Sequence, residues 1–367
     1  MKAAAYNPKL KESSCLETIE VEKPILTNNN AIVKVRAVGV CGSDLLKLDR
    51  SLVKPGTILG HEMVGVIEEI SEQASLKCHF KLGDRIVSSH HVPCLECDYC
   101  LRGKESLCTQ FKNTNFNPGA FCEYLELSEG HLKHTVQKVP EYLTDLEASF
   151  TEPVACCIKA VRHPERSEGS NANISMRHLV IGLGSIGLII GQLLKHYYPE
   201  DEVCGLDLDE NRLKLAESFN ISRHYERTLC HPEQREGPNA KSNARTDPLD
   251  PSPAAQDDSY DSIFLCAGAN ATVDLAIKHA RNGATITVFS STPGETSFSN
   301  NEIYYKELTI KGSYSPNLEN LKEALKLIST AKIKVNKLIS HKTSLDKLGE
   351  TIEKAKEEKG IKVLLEF

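Results

Sequence analysis

His178-Leu179-Val180-Ile181-Gly182-Leu183-Gly184-Ser185-Ile186-Gly187-Leu188-Ile189-Ile190 is the stretch on which the reading of the whole chain turns. Four β-type residues run into glycines spaced G-x-G-x-x-G, and a helical pattern from Gly187 to Tyr198 follows at once. In that setting each glycine has its own task. Gly182 permits the tight turn, Gly184 lets the backbone around Ser185 and Ile186 approach a pyrophosphate, and Gly187 lets the helix pack close to the strand. Asp207 lies twenty residues beyond Gly187, at the end of the next β-type run, Val203-Cys204-Gly205-Leu206. A carboxylate there binds the two adenosine ribose hydroxyls and repels a 2′-phosphate, so the segment predicts NAD rather than NADP.

Working outward, the same alternation continues. A helix is expected over Glu210 to Phe219, a strand over Ser262 to Cys266, a helix over Ala271 to Arg281 and a strand over Ala284 to Phe289. Strands alternating with helices specify a doubly wound parallel sheet with crossover helices. Upstream, from Ala31 to Ile86, short runs such as Ala31-Ile32-Val33-Lys34-Val35 and Val64-Gly65-Val66-Ile67 are punctuated by glycines and read as a β-rich first domain. With 367 residues the chain exceeds one ordinary core, and two domains of roughly 150 residues each are expected.

Two hydrophilic segments, at about 162–177 and 230–257, interrupt the alternating unit. His163-Pro-Glu-Arg-Ser-Glu-Gly-Ser-Asn-Ala in the first matches His231-Pro-Glu-Gln-Arg-Glu-Gly-Pro-Asn-Ala in the second at seven of ten positions. Both are poor in apolar residues, which predicts surface loops. Their likeness points to copies of one inserted element, tolerated because lengthening a loop costs little.

The formal charge of −6, with 44 Lys+Arg interspersed among 50 Asp+Glu, leaves no basic stripe for nucleic acid or anionic lipid. No apolar run approaches the roughly 20 residues of a membrane span, and the chain opens without a signal segment, so a cytoplasmic location is expected. There, the thirteen cysteines are better explained as reduced thiols and metal ligands than as a disulfide framework.

Cys94-x2-Cys97-x2-Cys100-x7-Cys108 places four thiolates within fifteen residues, a spacing that lets one loop wrap a tetrahedral Zn²⁺. With all four positions filled by protein, that zinc is structural. Its free energy would hold a lobe whose Pro93, Asp98 and Gly103 offer little packing. The other eight cysteines outside the metal sites, Cys156 and Cys157 among them, read as reduced packing residues. A second metal site has to be gathered from distant positions. Its candidates are Cys41, the pair His61-Glu62 and Glu152 of Thr151-Glu152-Pro153, a mixed thiolate, imidazole and carboxylate set that leaves one position open for water or an alcohol.

These pieces, in this order, resemble the zinc-containing medium-chain alcohol dehydrogenases, in the branch of the sorbitol, threonine and butanediol dehydrogenases. The resemblance runs through Gly39-Val40-Cys41-Gly42-Ser43-Asp44, Gly60-His61-Glu62, Leu82-Gly83-Asp84-Arg85-Ile86-Val87, the four-cysteine lobe (94–108), Glu152-Pro153, the glycine turn and Glu307-Leu308-Thr309-Ile310-Lys311-Gly312-Ser313-Tyr314. It implies a GroES-like catalytic domain built from both chain ends, 1–153 and 315–367, around a Rossmann domain at 154–314. It also implies a catalytic zinc on Cys41, His61 and either Glu62 or Glu152, the remaining acid lying close by. Asp44 would orient His61, and Ser43 would hydrogen-bond the substrate oxygen and pass on its proton. Arg212 would contact the adenosine ribose, and backbone near Val288 and Ser313 the nicotinamide amide. One departure is plain: Leu46 stands where many relatives carry the histidine that ends the proton relay.

The implied activity is hydride transfer between a secondary alcohol or polyol and NAD, by a chain that forms a homo-oligomer, a dimer or tetramer. A zinc-free reductase on the same fold and a non-catalytic NAD-binding or redox-sensing relative are the rivals. Zinc content separates them, because two zincs per chain are expected of the dehydrogenase.

Overall fold

In the computed structural model of the chain, residues 1–10, 15–162, 175–224, 259–291 and 295–367 are described. The hydrophilic segments of the sequence analysis fall outside these residues, apart from 162 and 175–177. Cys230 falls outside them as well.

The first part of the chain supplies strands β1 (Lys2–Tyr6), β2 (Leu16–Glu20), β3 (Ala31–Gly39), β4 (Glu62–Ile70), β5 (Arg85–Val87), β6 (Tyr124–Leu127) and β7 (Gln137–Lys138). β8 (Arg177–Ile181), β9 (Glu202–Leu206), β10 (Ser222–Arg223), β11 (Tyr260–Leu265), β12 (Ala280–Val288) and β13 (Thr309–Gly312) follow, and β14 (His341–Thr343) and β15 (Val363–Glu366) close the chain.

β8 to β13 form a six-stranded sheet in the order β10-β9-β8-β11-β12-β13, every pairing parallel. Its central strands are apolar without alternation because helices cover both faces; Leu179, Val180, Ile263 and Phe264 are fully buried. β14-β15-β3-β4-β5-β7 form a second sheet, with β6 paired to β3. β3 bears the mark of a strand with one solvated stretch, since Lys34 and Arg36 are exposed between buried Val33, Val35 and Ala37. The C-terminal strand β15 pairs antiparallel with β3, which returns the chain end to the first sheet.

The helix Thr151–Val161 links the two sheets. Nine of its eleven residues are buried. It packs against the helices Ser185–Tyr197 and Leu318–Ser329, so one buried cluster runs from Ala37 and Val64 of the first sheet to Val180 and Phe264 of the second.

Two element ends differ from the sequence expectation. The helix expected to reach Arg281 stops at His279, because Ala280 pairs with Tyr260 and starts β12 early; the register between these strands then shifts before Ser262. The helix expected to reach Phe219 stops at Glu217, and the chain leaves it through Asn220 in the left-handed region (φ 61°), a usual exit for asparagine. Among the described residues no helix is long and apolar enough to cross a membrane.

Candidate active site and metal centres

Antiparallel pairing of β3 with β4 sets Gly39 opposite Glu62, and Cys41 follows two residues after β3 ends. Cys41 is the N-cap of the helix Gly42–Asp49, so its sulfur lies at the N-terminal end of that helix. Its sulfur accepts from the Ser43 N–H at 3.5 Å, and the Asp44 carboxylate accepts from the Cys41 N–H at 3.1 Å. The result is that Cys41 Sγ, a ring nitrogen of His61 and a carboxylate oxygen of Glu62 all lie within 4.8 Å of one another.

Asp44 is fully buried, with its Oδ1 3.4 Å from His61 Nδ1. Burial opposes its ionisation, yet the His61 ring and the Cys41 N–H outweigh burial and hold the carboxyl below its usual range. Burial likewise opposes a charged His61, and Asp44 with Cys41 raises that ring well above the ordinary histidine value. Such a carboxylate fixes the tautomer of an imidazole whose other nitrogen is offered to a metal. Ser43 is exposed at the start of the same helix, and Leu46, in the position noted above, is half-buried.

Two charged partners complete the group. Glu62, only 1% exposed, pairs through Oε2 with the ammonium of Lys362, itself 4% exposed. A Cβ on Gly39 would come within 2.0 Å of that oxygen, which explains the glycine: the carboxylate lies across the backbone of β3. Burial disfavours the Lys362 charge, but Glu62, Cys41 and Asp44 raise its pKa. Replacing Lys362 with methionine strands the buried Glu62 charge and should cost about 3–5 kcal/mol of stability; denaturant unfolding measures it, and an unchanged midpoint would show the pair to be inert.

Glu152 sits in the first turn of the helix Thr151–Val161, 6% exposed, beside the group but outside the 4.8 Å set. Burial raises its carboxyl above the usual value; the nearby His61 ring pulls it back and Glu62 pushes it further up. One turn later the Cys156 thiol donates to Glu152 Oε1 at 3.4 Å. Cys156 was expected to be a packing residue, and the structure instead sets it against the site acid. A Glu-x3-Cys spacing on one helix face was the signal for it. Cys157, by contrast, is fully buried in the core as expected. Lys362 directly precedes the apolar terminal strand Val363-Leu364-Leu365, and no local pattern marks it as part of the site.

The four sulfurs of Cys94, Cys97, Cys100 and Cys108 also lie within 4.8 Å of one another. The separations are 3.9 Å for Cys94–Cys100, 3.6 Å for Cys97–Cys100 and 3.5 Å for Cys94–Cys108. Tetrahedral zinc with Zn–S near 2.3 Å places sulfurs about 3.8 Å apart, so these residues fit that ion. Backbone N–H groups of Cys94 and Phe111 overcome burial and lower the Cys108 thiol to about 6. Tyr99, Leu101 and Leu107 are exposed, so the lobe holds little core of its own. It is tied to the rest of the fold by Asn317 Nδ2 to Gly103 O at 3.1 Å, the Leu318 N–H to Glu105 Oε2 at 2.9 Å and Lys159 Nζ to Ser106 Oγ at 2.9 Å.

At the glycine turn, Gly182 has φ +94°, and a Cβ there would meet Ala267 at 2.7 Å. A Cβ on Gly187 would lie 1.9 Å from Gly182 O. A Cβ on Gly184 would meet nothing within 4 Å, so its absence leaves open space at the N-terminus of the helix Ser185–Tyr197, as a bound pyrophosphate requires. Asp207 accepts from the Leu183 and Asp209 N–H groups at 2.7 and 2.9 Å, which fixes its carboxylate beside the turn. Arg212 Nη1 is 3.7 Å from Asp207, while its Nη2 donates to the carbonyls of Lys359 and Gly360 at 3.1 and 3.3 Å. Ser313 N donates to Val288 O at 3.0 Å, bringing those two positions together.

Comparison with known proteins agrees with this arrangement. A family model described as the alcohol dehydrogenase GroES-like domain matches residues 27–140, and one described as zinc-binding dehydrogenase matches residues 185–330. The sorbitol dehydrogenase of Halalkalibacterium halodurans is 27% identical over 357 residues, covering 94% of each chain. The D-xylulose reductase A of Aspergillus niger is 26% identical over 354 residues, 94% of this chain and 92% of its own. The solved structure of an alcohol dehydrogenase from Thermus sp. ATN1 superposes with a TM-score of 0.79 over 100% of both chains at 23% identity, a likeness of fold.

Proposed function

The chain belongs to the zinc-binding medium-chain alcohol dehydrogenases, and from that premise we propose that it oxidises a secondary alcohol of the polyol class with NAD, on a metal centre held by Cys41, His61 and Glu62. The observation that carries the proposal is the convergence of those three donor atoms within 4.8 Å, from positions twenty residues apart in sequence. When bound, zinc supplies Lewis acidity toward the alcohol oxygen and NAD accepts the hydride.

The chain's own residues do the rest. Three protein donors leave a fourth position for the alcohol. Asp44 holds the His61 ring, and Lys362 pairs with the Glu62 carboxylate and keeps it aimed at the group. Glu152, with its raised pKa, is the acid in reserve beside the metal residues. Ser43 takes the proton of the substrate hydroxyl; with Leu46 unable to carry it onward, exposed Ser43 hands it to solvent. A screen of NAD reduction by the zinc-loaded chain across sorbitol, xylitol, galactitol, butanediol, threonine and simple alcohols tests the reading. Inertness toward all of them would overturn it.

Asp207 sets the cofactor preference in this proposal, with Gly182, Gly184, Ser185, Ile186 and Gly187 cradling the pyrophosphate. Asp207→Ser removes a charged hydrogen-bond acceptor for the ribose, a loss of roughly 10- to 100-fold in kcat/KM for NAD. Arg212 is then free to meet a 2′-phosphate, so NADP should gain. Unaltered NAD:NADP selectivity in steady-state kinetics would remove Asp207 from that role.

Assembly and place complete the proposal: a homo-oligomer of two or four chains, in the cytoplasm. β13 is an edge strand of the six-stranded sheet, with Tyr304 and Tyr305 exposed just before it, and every described cysteine is a free thiol. Light scattering measures the assembly.

A further inference from the structure

Lys159 is a half-buried cation that the proposed metal centre does not use. It lies seven residues after Glu152 and three after Cys156 in the helix Thr151–Val161, a spacing that puts all three on one face. Burial pulls its pKa below the usual lysine value, and among the described residues no carboxylate pairs with it. Its ammonium donates instead to two neutral oxygens, Ser106 Oγ at 2.9 Å and the Tyr314 carbonyl at 3.0 Å.

Those oxygens belong to distant parts of the chain. Ser106 is buried in the four-cysteine lobe, two residues before Cys108, and Tyr314 is the second residue after β13. The strand order fixes what lies at that end of the sheet. With the pyrophosphate at the turn after β8 and the adenosine ribose at Asp207 after β9, the other half of a dinucleotide runs the opposite way, over the ends of β11, β12 and β13. There Ser313 N donates to Val288 O, and beyond it the chain leaves the sheet with little packing to hold it: the Tyr314 side chain is 57% exposed and Ser315 has φ 55°. Lys159 fixes the Tyr314 carbonyl, and Gly103 and Glu105 of the same lobe hold Asn317 and Leu318 just after it.

We propose that Lys159 is a positioning residue that anchors the end of β13 to the four-cysteine lobe and so fixes the nicotinamide half of the bound cofactor against the metal centre. This rests on the reading of the glycine turn and Asp207 as the dinucleotide site. Those groups grip the pyrophosphate and the adenosine, so loss of Lys159 should misplace the nicotinamide without releasing the cofactor. A lysine that merely cements the fold would lower stability and leave the surroundings of the bound ring unchanged.

The test uses NADH itself as the probe. The chain contains no tryptophan, so the emission of the bound nicotinamide is read without energy transfer from one. In the natural full chain that emission should be shifted to the blue of free NADH. Lys159→Met, which keeps the stem and drops the ammonium, should bind NADH within about 3-fold of the natural Kd, while the emission moves back toward that of the free coenzyme and kcat of the zinc-loaded chain on its best polyol falls about 10-fold, the size of one charged hydrogen bond. Lys159→Arg, which can donate to both oxygens, should restore both readings. Ser106→Ala removes the lobe-side acceptor alone; it should shift both readings the same way by less, and it carries the comparison if the methionine variant fails to fold. Emission like that of free NADH in the natural chain, emission and kcat unchanged in Lys159→Met, or affinity and kcat lost together in step with a lower melting temperature overturns the positioning role. A natural chain that oxidises no alcohol and still shows the emission difference overturns the functional reading alone. One that binds no NADH overturns both.

Discussion

Cys41→Ser should lower turnover by about a thousandfold or more and take the zinc content from two ions per chain to one, while the chain still folds and binds NAD. The size follows from losing several kcal/mol of transition-state charge stabilisation, at 1.36 kcal/mol per factor of ten. Folding should survive because Cys41 caps the helix Gly42–Asp49, and serine is a good residue at that position. NAD binding should survive because the glycine turn and Asp207 belong to the other sheet. Metal analysis, fluorescence titration with NADH and steady-state rates measure the three quantities separately. A variant that keeps its activity with one zinc would remove the metal from the reaction; one that keeps both zincs would remove Cys41 from the ligand set.

The second large effect belongs to the lobe. Cys97→Ser should release the other zinc and open the segment 94–113 to proteolysis. A structural zinc site contributes on the order of 10 kcal/mol in binding, and the lobe has little else: Leu101 is 76% exposed, and hydrogen bonds to Lys159, Asn317 and Leu318 tie it to the rest of the fold. If only ~3 kcal/mol of that reaches global stability, the melting midpoint falls by about 6–12 °C at roughly 2–4 °C per kcal/mol. Treating the natural chain with a strong chelator should reproduce the shift. Unchanged melting and unchanged zinc would return these four thiols to ordinary surface residues. The two variants should agree on NAD binding, since neither zinc group touches the glycine turn, and part company on stability, where only Cys41→Ser should stay near the natural chain.

Much of the site was legible where its residues are close in sequence. The four cysteines span fifteen positions, so their spacing alone restricts them to a loop that can close on one ion. The glycines at 182, 184 and 187 carry their reasons within six residues, and the positive φ of Gly182 and the contact of Gly187 with Gly182 O follow that logic. Lys159 and Lys362 carried no such mark. A lysine late in an apolar helix reads as its solvated edge, and a lysine near the chain end reads as solvated until β15 is seen to pair with β3.

By itself, then, the sequence determined what depends on local spacing and period: a parallel sheet wrapped by helices, a dinucleotide turn with its acid, and a cysteine lobe. Only the tertiary structure decided what depends on strand register. Pairing Gly39 with Glu62 sets the carboxylate over the backbone beside Cys41, and β15, paired on the other side of β3, brings Lys362 to the same carboxylate. Glu152 arrives on a helix from further along the chain and stands one step outside the group. Those distances come from long-range pairings, and no pattern of residues along the chain contains them.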